Sequence, residues 1–206
     1  GIKSGPALSA DTETWNGSGW TETSNLNTAR EAVAGTGTNT AALCVGGAAS
    51  PGNTAVVESW DGSSWTEVGD LNTARQAVAA GGTSTSAVAI DGSPTGVTES
   101  WNGSSWTEIT DLSTSRIAGS TGGSSNSDVF FAGGVTPSPS IVGNTEVWDG
   151  SSWTEIADMS TARKSINAQS IGTTSLSLNA GGEPSASSVT EELTSPVETT
   201  VEFDLS

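Results

Sequence analysis

Short apolar runs alternate along this chain with turn residues, and no window holds a helical period. Runs such as Ala41–Val45, Val88–Ile90, Phe130–Ala132 and Leu178–Ala180 are three to five residues long, and Gly, Ser, Thr and Asn cluster between them. Short apolar runs bounded by turn residues predict strands. A second kind of run carries a glutamate two residues before a tryptophan: Glu13/Trp15, Glu58/Trp60, Glu99/Trp101 and Glu146/Trp148. Asn-Gly or Asp-Gly follows each time, and then a second tryptophan: Trp20, Trp65, Trp106 and Trp153. These pairs account for all eight tryptophans, and the first of each pair recurs after 45, 41 and 47 residues. A period of this size marks a stacked repeat.

Alignment on the pairs exposes the rest of the unit. It opens with Asn-Thr-Ala-Arg30, Asn-Thr-Ala-Arg75, Ser-Thr-Ser-Arg116 and Ser-Thr-Ala-Arg163. A strand-like run follows each arginine, at 31–35, 76–80, 117–119 and 164–168. A second apolar run then ends in glycine, as Val45-Gly-Gly47, Ile90-Asp-Gly92, Ala132-Gly-Gly134 and Ala180-Gly-Gly182. The unit therefore reads as four strands joined by hairpins. Asn-Gly and Asp-Gly suit a type I′ turn, which needs positive φ at both central positions. A two-residue turn at Asp61-Gly62 places Glu58 opposite Trp65, and a four-residue loop pairs Trp60 with Trp65. In both registers the two indoles share a face. One small sheet cannot bury two indoles, so neighbouring sheets must cover them, which predicts sheets stacked radially. The tryptophans are read as filler between sheets, with a sugar-stacking platform as the other reading.

The basic residue, the double glycine and the aromatics in register make each unit resemble a kelch repeat, with Trp in place of the usual Tyr in the third strand. The resemblance covers nearly the whole chain and implies an all-β propeller of four-stranded antiparallel blades, like the central domain of galactose oxidase. The wording Glu-Ser-Trp-Asn-Gly-Ser-Ser-Trp-Thr-Glu is also similar to kelch-like arrays in structural proteins of marine bacteriophages. Those arrays often finish with a degenerate Thr-Glu-Glu-aromatic-Thr unit, matched here by Thr190-Glu-Glu-Leu193-Thr. The blades are expected at 1–25 (a half blade), 26–70, 71–111, 112–158 and 159–206, within one domain. Gly1 falls where the second glycine of a pair belongs, so the chain is expected to start after a missing pair of strands. That gives about five blades with the first incomplete. The alternative is a closed four-bladed ring, in which the N-terminal hairpin docks on 163–182 and 183–206 forms a tail.

Composition narrows the function classes. There are 23 acidic and six basic residues, a net charge of −17, which repels nucleic acid phosphates and anionic membranes. No apolar stretch is long enough to span a bilayer as a helix, and the N-terminus does not read as a signal peptide. The single cysteine, Cys44, lies in an apolar run and is expected to be buried. The chain has no histidine and no tyrosine. Copper-radical chemistry of the galactose oxidase kind and Ser-His-Asp catalysis therefore lack their residues, as does a sialidase mechanism, which needs a tyrosine nucleophile. Glycoside hydrolysis needs two converging carboxylates, whereas the acids here recur in every unit. Zinc and EF-hand calcium motifs are absent from the sequence, and no cofactor is expected. Asn16 and Asn102 lie in Asn-Gly-Ser sequons, a weak signal.

Arg30, Arg75, Arg116 and Arg163 are the best-defined polar feature. They read either as one salt bridge per blade to a repeat glutamate or as a cationic ring for an acidic glycan. The loops 48–55, 93–96, 135–143 and 183–188 differ in length and sequence, and loops on a repeated scaffold are where specificity is placed. The resemblance implies a non-enzymatic structural or adhesive module on a virion surface or outside the cell. Its partners would be other virion proteins, copies of itself or a cell-surface glycan. The rival is a cellular or secreted kelch interaction module or lectin.

Overall fold

The computed structural model describes residues 8–93, 96–165, 172–183 and 190–194. All regular structure among them is β, and none of their segments is a helix able to cross a membrane. The strands are β1 (Glu13–Trp15), β2 (Trp20–Glu22), β3 (Ala34–Thr38), β4 (Ala41–Val45), β5 (Ala48–Ala49), β6 (Gly52–Asn53), β7 (Val57–Trp60), β8 (Trp65–Glu67), β9 (Ala79–Thr83) and β10 (Ser86–Ile90). They continue as β11 (Thr98–Trp101), β12 (Trp106–Ile109), β13 (Ser120–Ser125), β14 (Asp128–Ala132), β15 (Thr145–Trp148), β16 (Trp153–Ile156), β17 (Gly172–Thr173), β18 (Leu176–Ala180) and β19 (Thr190–Thr194).

Three four-stranded antiparallel sheets follow the repeat: β3-β4-β7-β8, β9-β10-β11-β12 and β13-β14-β15-β16. A three-stranded sheet, β17-β18-β19, comes after them, and the β1-β2 hairpin precedes them. β5 and β6 form a small hairpin in the first variable loop. The first strands lie side by side, β3 against β9, β9 against β13 and β13 against β17. Sheets that touch through their first strands and fan outward through their fourth give a propeller-like all-β fold.

The hydrophobic core fills the gaps between sheets. Val45, Val57, Leu71, Val78 and Ala80 meet Ala87, Ala89, Trp101 and Trp106 in one gap. Val88, Ile90 and Leu112 meet Val129, Phe131 and Trp148 in the next. The Trp101–Trp106 and Trp148–Trp153 pairs thus pack toward the preceding sheet. A fully buried indole removes about 150–250 Å² from water, a gross transfer gain of about 4–6 kcal/mol.

Three sequence expectations need correction. First, the innermost strands start at residues 34, 79 and 120, three residues later than expected. The second residue after each arginine takes a left-handed conformation, at Ala32, Ala77, Ala118 and Ser165 with φ of 51°, 55°, 58° and 49°, and that breaks the run. Only an isolated bridge survives before the break: Glu31 with Ala48, Gln76 with Ser93, Ile117 with Val135 and Lys164 with Glu183. The expected fourth run, 164–168, lies largely outside the described residues.

Second, the corner between each tryptophan pair is not a type I′ turn. Positive φ occurs only at Gly17, Gly62, Gly103 and Gly150, not at the Asn or Asp before them. The side chain of that residue does the work instead. Asp61 Oδ1 accepts from the backbone N–H of Ser63 and Ser64 and from the Ser63 hydroxyl, each at 2.8 Å. Asn16, Asn102 and Asp149 repeat the arrangement. Four residues separate the strands, so Trp60 pairs directly with Trp65. Their neighbours carry the ladder bonds, Asp61 N–H to Ser64 O and Val68 N–H to Val57 O, which makes Trp60–Trp65 a non-hydrogen-bonded pair with close side chains. All four pairs are in contact with their rings tilted by 34–50° and centroids 5.2–5.6 Å apart.

Third, the four-membered ring with a C-terminal tail does not form. The outer edge of β18 is taken by β19, with Asn179 opposite Glu191. This is the register of Cys44 with Glu58, Ala89 with Glu99 and Phe131 with Glu146. Leu193 therefore stands where the other sheets carry the first tryptophan. The fourth strand expected after it lies outside the described residues.

Candidate functional site

The Asn/Ser-Thr-Ala/Ser-Arg motif builds one ion pair in each unit. Arg30 reaches Glu58 at 3.1 Å, Arg75 reaches Glu99 at 3.1 Å, Arg116 reaches Glu146 at 2.7 Å and Arg163 reaches Glu191 at 2.7 Å. All four guanidiniums are buried, as are the first three carboxylates. The second carboxylate oxygen accepts the backbone N–H of the residue three places before the arginine: Asn27, Asn72, Ser113 and Ser160. Asn27 and Asn72 add a side-chain amide, which also donates to the carbonyls of Trp65 and Trp106. One further guanidinium nitrogen of each arginine donates to a carbonyl beside a strand end, that of Val56, Val97, Gly133 and Gly181 in turn. Each arginine thereby ties the entry of a sheet to its own third strand. The four do not present a cationic ring to solvent, because burial and a paired glutamate consume the charge of each.

Cys44 lies beside this network, and burial pushes its thiol above the ordinary range, although the nearby Arg30 acts in the opposite direction. A thiol so placed is a poor nucleophile at neutral pH.

One position breaks the repeat. Gly46, Gly133 and Gly181 have positive φ at the end of the second strand, and Asp91 takes their place at φ 52°. Its carboxylate is buried and accepts from Gly92 N–H at 2.9 Å, the Ser115 hydroxyl at 3.1 Å and Arg116 N–H. Elsewhere the second glycine makes the link between sheets, Gly47 N–H to Arg75 O at 2.9 Å and Gly134 N–H to Arg163 O at 2.8 Å. At the joint between the second and third full sheets a side chain substitutes for that backbone bond. Desolvation pushes the Asp91 carboxyl upward, against the donors that lower it. The signal was present in the sequence as Ile-Asp-Gly among three X-Gly-Gly endings, but a carboxylate in a glycine position is invisible to a reading that averages the units.

The variable loops gather next to this joint. Each begins at the bridge to the residue after an arginine, so all start at the same end of the sheets. Asn53 Nδ2 in the first loop donates to Ser93 O in the second at 3.0 Å. A cleft of about 220 Å³ separates Ser93 and Gly96 of the second loop from Val135, Thr136 and Pro137 of the third, with Ser115 and Arg116 at its base. Three loops of unlike sequence thus form one surface. Parts of the second and fourth loops, 94–95 and 184–188, lie outside the described residues.

The tryptophans divide into two groups. Trp60, Trp101, Trp106 and Trp148 are buried, and Trp65 and Trp153 half-buried. Trp15 and Trp20 are 46% and 67% exposed. Among the described residues no group of three or more His, Cys, Asp or Glu side chains is placed to hold a metal ion.

No protein-family model and no curated protein sequence matches the chain. A solved structure does. The structure of YjhT superposes with a TM-score of 0.71 at 15% identity, covering 88% of this chain and 71% of that one. The likeness is one of fold.

Proposed function

We propose that this chain is a non-enzymatic, kelch-type propeller that serves as a structural and adhesive module on a virion surface, binding a cell-surface glycan through its variable loops. The observation that carries the reading is the contrast between repeated and unrepeated residues. The repeated arginines and their partner glutamates are spent inside the sheets on one latch per unit, and residues of three loops that differ from unit to unit meet on one surface. A rigid scaffold with variable loops at one end is the arrangement that binding proteins use. The virion setting rests on the resemblance of the repeat wording to phage structural arrays and on the acidic surface.

The test exchanges loop 135–143 for a Gly/Ser sequence of equal length and compares binding of the two proteins to a glycan array. Loss of a specific signal with an unchanged melting temperature supports the reading. Equal binding by the two proteins rejects the assignment to this loop, and no glycan signal from either rejects the adhesive role.

A further inference from the structure

We propose that the cleft between the second and third variable loops is the binding subsite of the loop surface, and that it takes an uncharged, hydroxyl-bearing sugar ring and excludes acidic glycans. The inference rests on the adhesive reading of the loops and adds to it the class of glycan. The cleft, of about 220 Å³, has one charged residue in its lining, Arg116. An acidic sugar would need that guanidinium.

Arginine has five N–H donors, and Arg116 spends all five inside the protein. Nε donates to Gly133 O at 3.0 Å, and Nη1 donates to Glu146 Oε1 at 2.7 Å and to Thr114 O at 3.3 Å. Nη2 donates to the carbonyls of Phe131 and Asn144, each at 3.4 Å. The guanidinium carbon also lies over the Phe131 ring, 5.3 Å from its centroid. A carboxylate or sulfate entering the cleft therefore finds no uncommitted donor on its one cation.

The hydroxyls in the lining carry the same preference. Ser115 donates its single proton to Asp91 Oδ1 at 3.1 Å, and Thr136 donates to Ser140 O at 3.4 Å. Toward a ligand both hydroxyls can only accept. An anion brings acceptors and meets lone pairs, whereas a sugar hydroxyl brings a proton. Asp91 and Glu146 also set two buried carboxylates against one guanidinium at the base of the cleft, which opposes a second anion there.

A cation fares no better. The apolar side of the cleft is formed by Ile117, Val135 and Pro137, and an ammonium group loses hydration against them. The Asp91 carboxylate behind Ser115 already holds three donors, from Gly92, Ser115 and Arg116. A pyranose suits both sides. Its C–H face covers the apolar side chains, and its hydroxyl rim donates to Ser115 and Thr136.

The experiment applies the chain to an array of neutral glycans ending in hexose or N-acetylhexosamine, acidic glycans (sialylated, uronic and sulfated) and glycans with a free amine, at low and high salt. Neutral glycans alone should be retained, and their signal should change less than about twofold between the two salts, because no charge pair is there to be screened. Thr136→Val should weaken that signal at least about threefold, the size of one lost hydrogen bond. Thr136→Ser keeps the hydroxyl and should bind as the parent does. Retention of acidic or amine-bearing glycans as strong as that of neutral ones overturns the inference and leaves the adhesive reading standing. Neutral binding that Thr136→Val leaves unchanged does the same. Silence of every glycan overturns both.

Discussion

Replacing Arg75 with Met tests the latch at its most enclosed point. The change removes the cation paired with Glu99, whose carboxylate is fully buried and, among the described residues, keeps the two donors of Asn72. It also strips the Val97 carbonyl of its guanidinium donor. Breaking a buried pair by removing one partner costs about 3–5 kcal/mol, because the remaining charge stays buried. For a chain of this length that is a fall in melting temperature of about 6–20 °C. A second variant separates charge from packing. Glu99→Gln keeps an oxygen for the Asn72 N–H, so Arg75→Met/Glu99→Gln should cost no more than Arg75→Met alone, with a coupling of about 1–3 kcal/mol between the sites. Urea unfolding followed by tryptophan emission measures all three proteins. A cost for Arg75→Met below about 1 kcal/mol, the size of an exposed pair, would refute the account, as would additivity in the double variant.

Other substitutions probe the turns and the filler. Gly82→Ala places a Cβ 2.3 Å from Ser86 O at φ +111°, so it should cost at least about 2 kcal/mol. Gly62→Ala, at φ +95° with Thr40 O 3.4 Å away, should cost only the backbone strain of about 1 kcal/mol, and equal losses in urea unfolding would contradict this. Trp106 buries an indole N–H with no acceptor among the described residues, whereas Trp101 donates to Ser84 O. Trp106→Phe should therefore destabilise less than Trp101→Phe by about 1 kcal/mol, and the reverse order in thermal melts would count against it. Hydrogen bonds from Ser63, then the Ser64 and Ser63 amides, hold the Asp61 carboxyl at about 2, below its usual 3.8. A depressed value means that its contribution is present above the usual pKa and is lost as pH falls toward 2. Asp61→Asn, with the amide already used at Asn16 and Asn102, removes that dependence. Wild type should lose ground to the variant between pH 4 and 2, and a constant difference in melting temperature would disprove the assignment.

The repeat was legible because its marks are strong: paired tryptophans, an arginine and a terminal glycine that recur in one order every 41–47 residues. Sheet order and the shared face of the indoles follow from those marks. The starts of the inner strands were not legible, because alanine carries no sign that it will adopt positive φ at residues 32, 77 and 118. Tertiary hydrogen bonds make it do so, for Ala77 N–H reaches Ala32 O and Ser165 N–H reaches Ala118 O in the neighbouring unit. The hairpin corner misled for a related reason. Asp-Gly suits a type I′ turn, but the following serines let the Asp61 side chain satisfy the loop amides and shift the register. The arginines were recognised as special, with the salt bridge as the first reading and the cationic ring as the second, and the ring was kept because exposure is a property of packing that the repeat pattern does not carry. Asp91 needed comparison between units rather than their consensus.

Both partners of every latch belong to one unit. Arg30 and Glu58, for example, lie within one period of the sequence, at the entry of a sheet and in its third strand. A tandem duplication or an in-frame deletion of one period therefore moves a complete, charge-neutral pair, and leaves no orphaned arginine in a neighbour. The tryptophan face is equally self-similar, so a new copy can be spliced between any two old ones. Such a chain can lengthen or shorten over generations in steps of 41–47 residues, and each copy brings its own loop as fresh material for divergence.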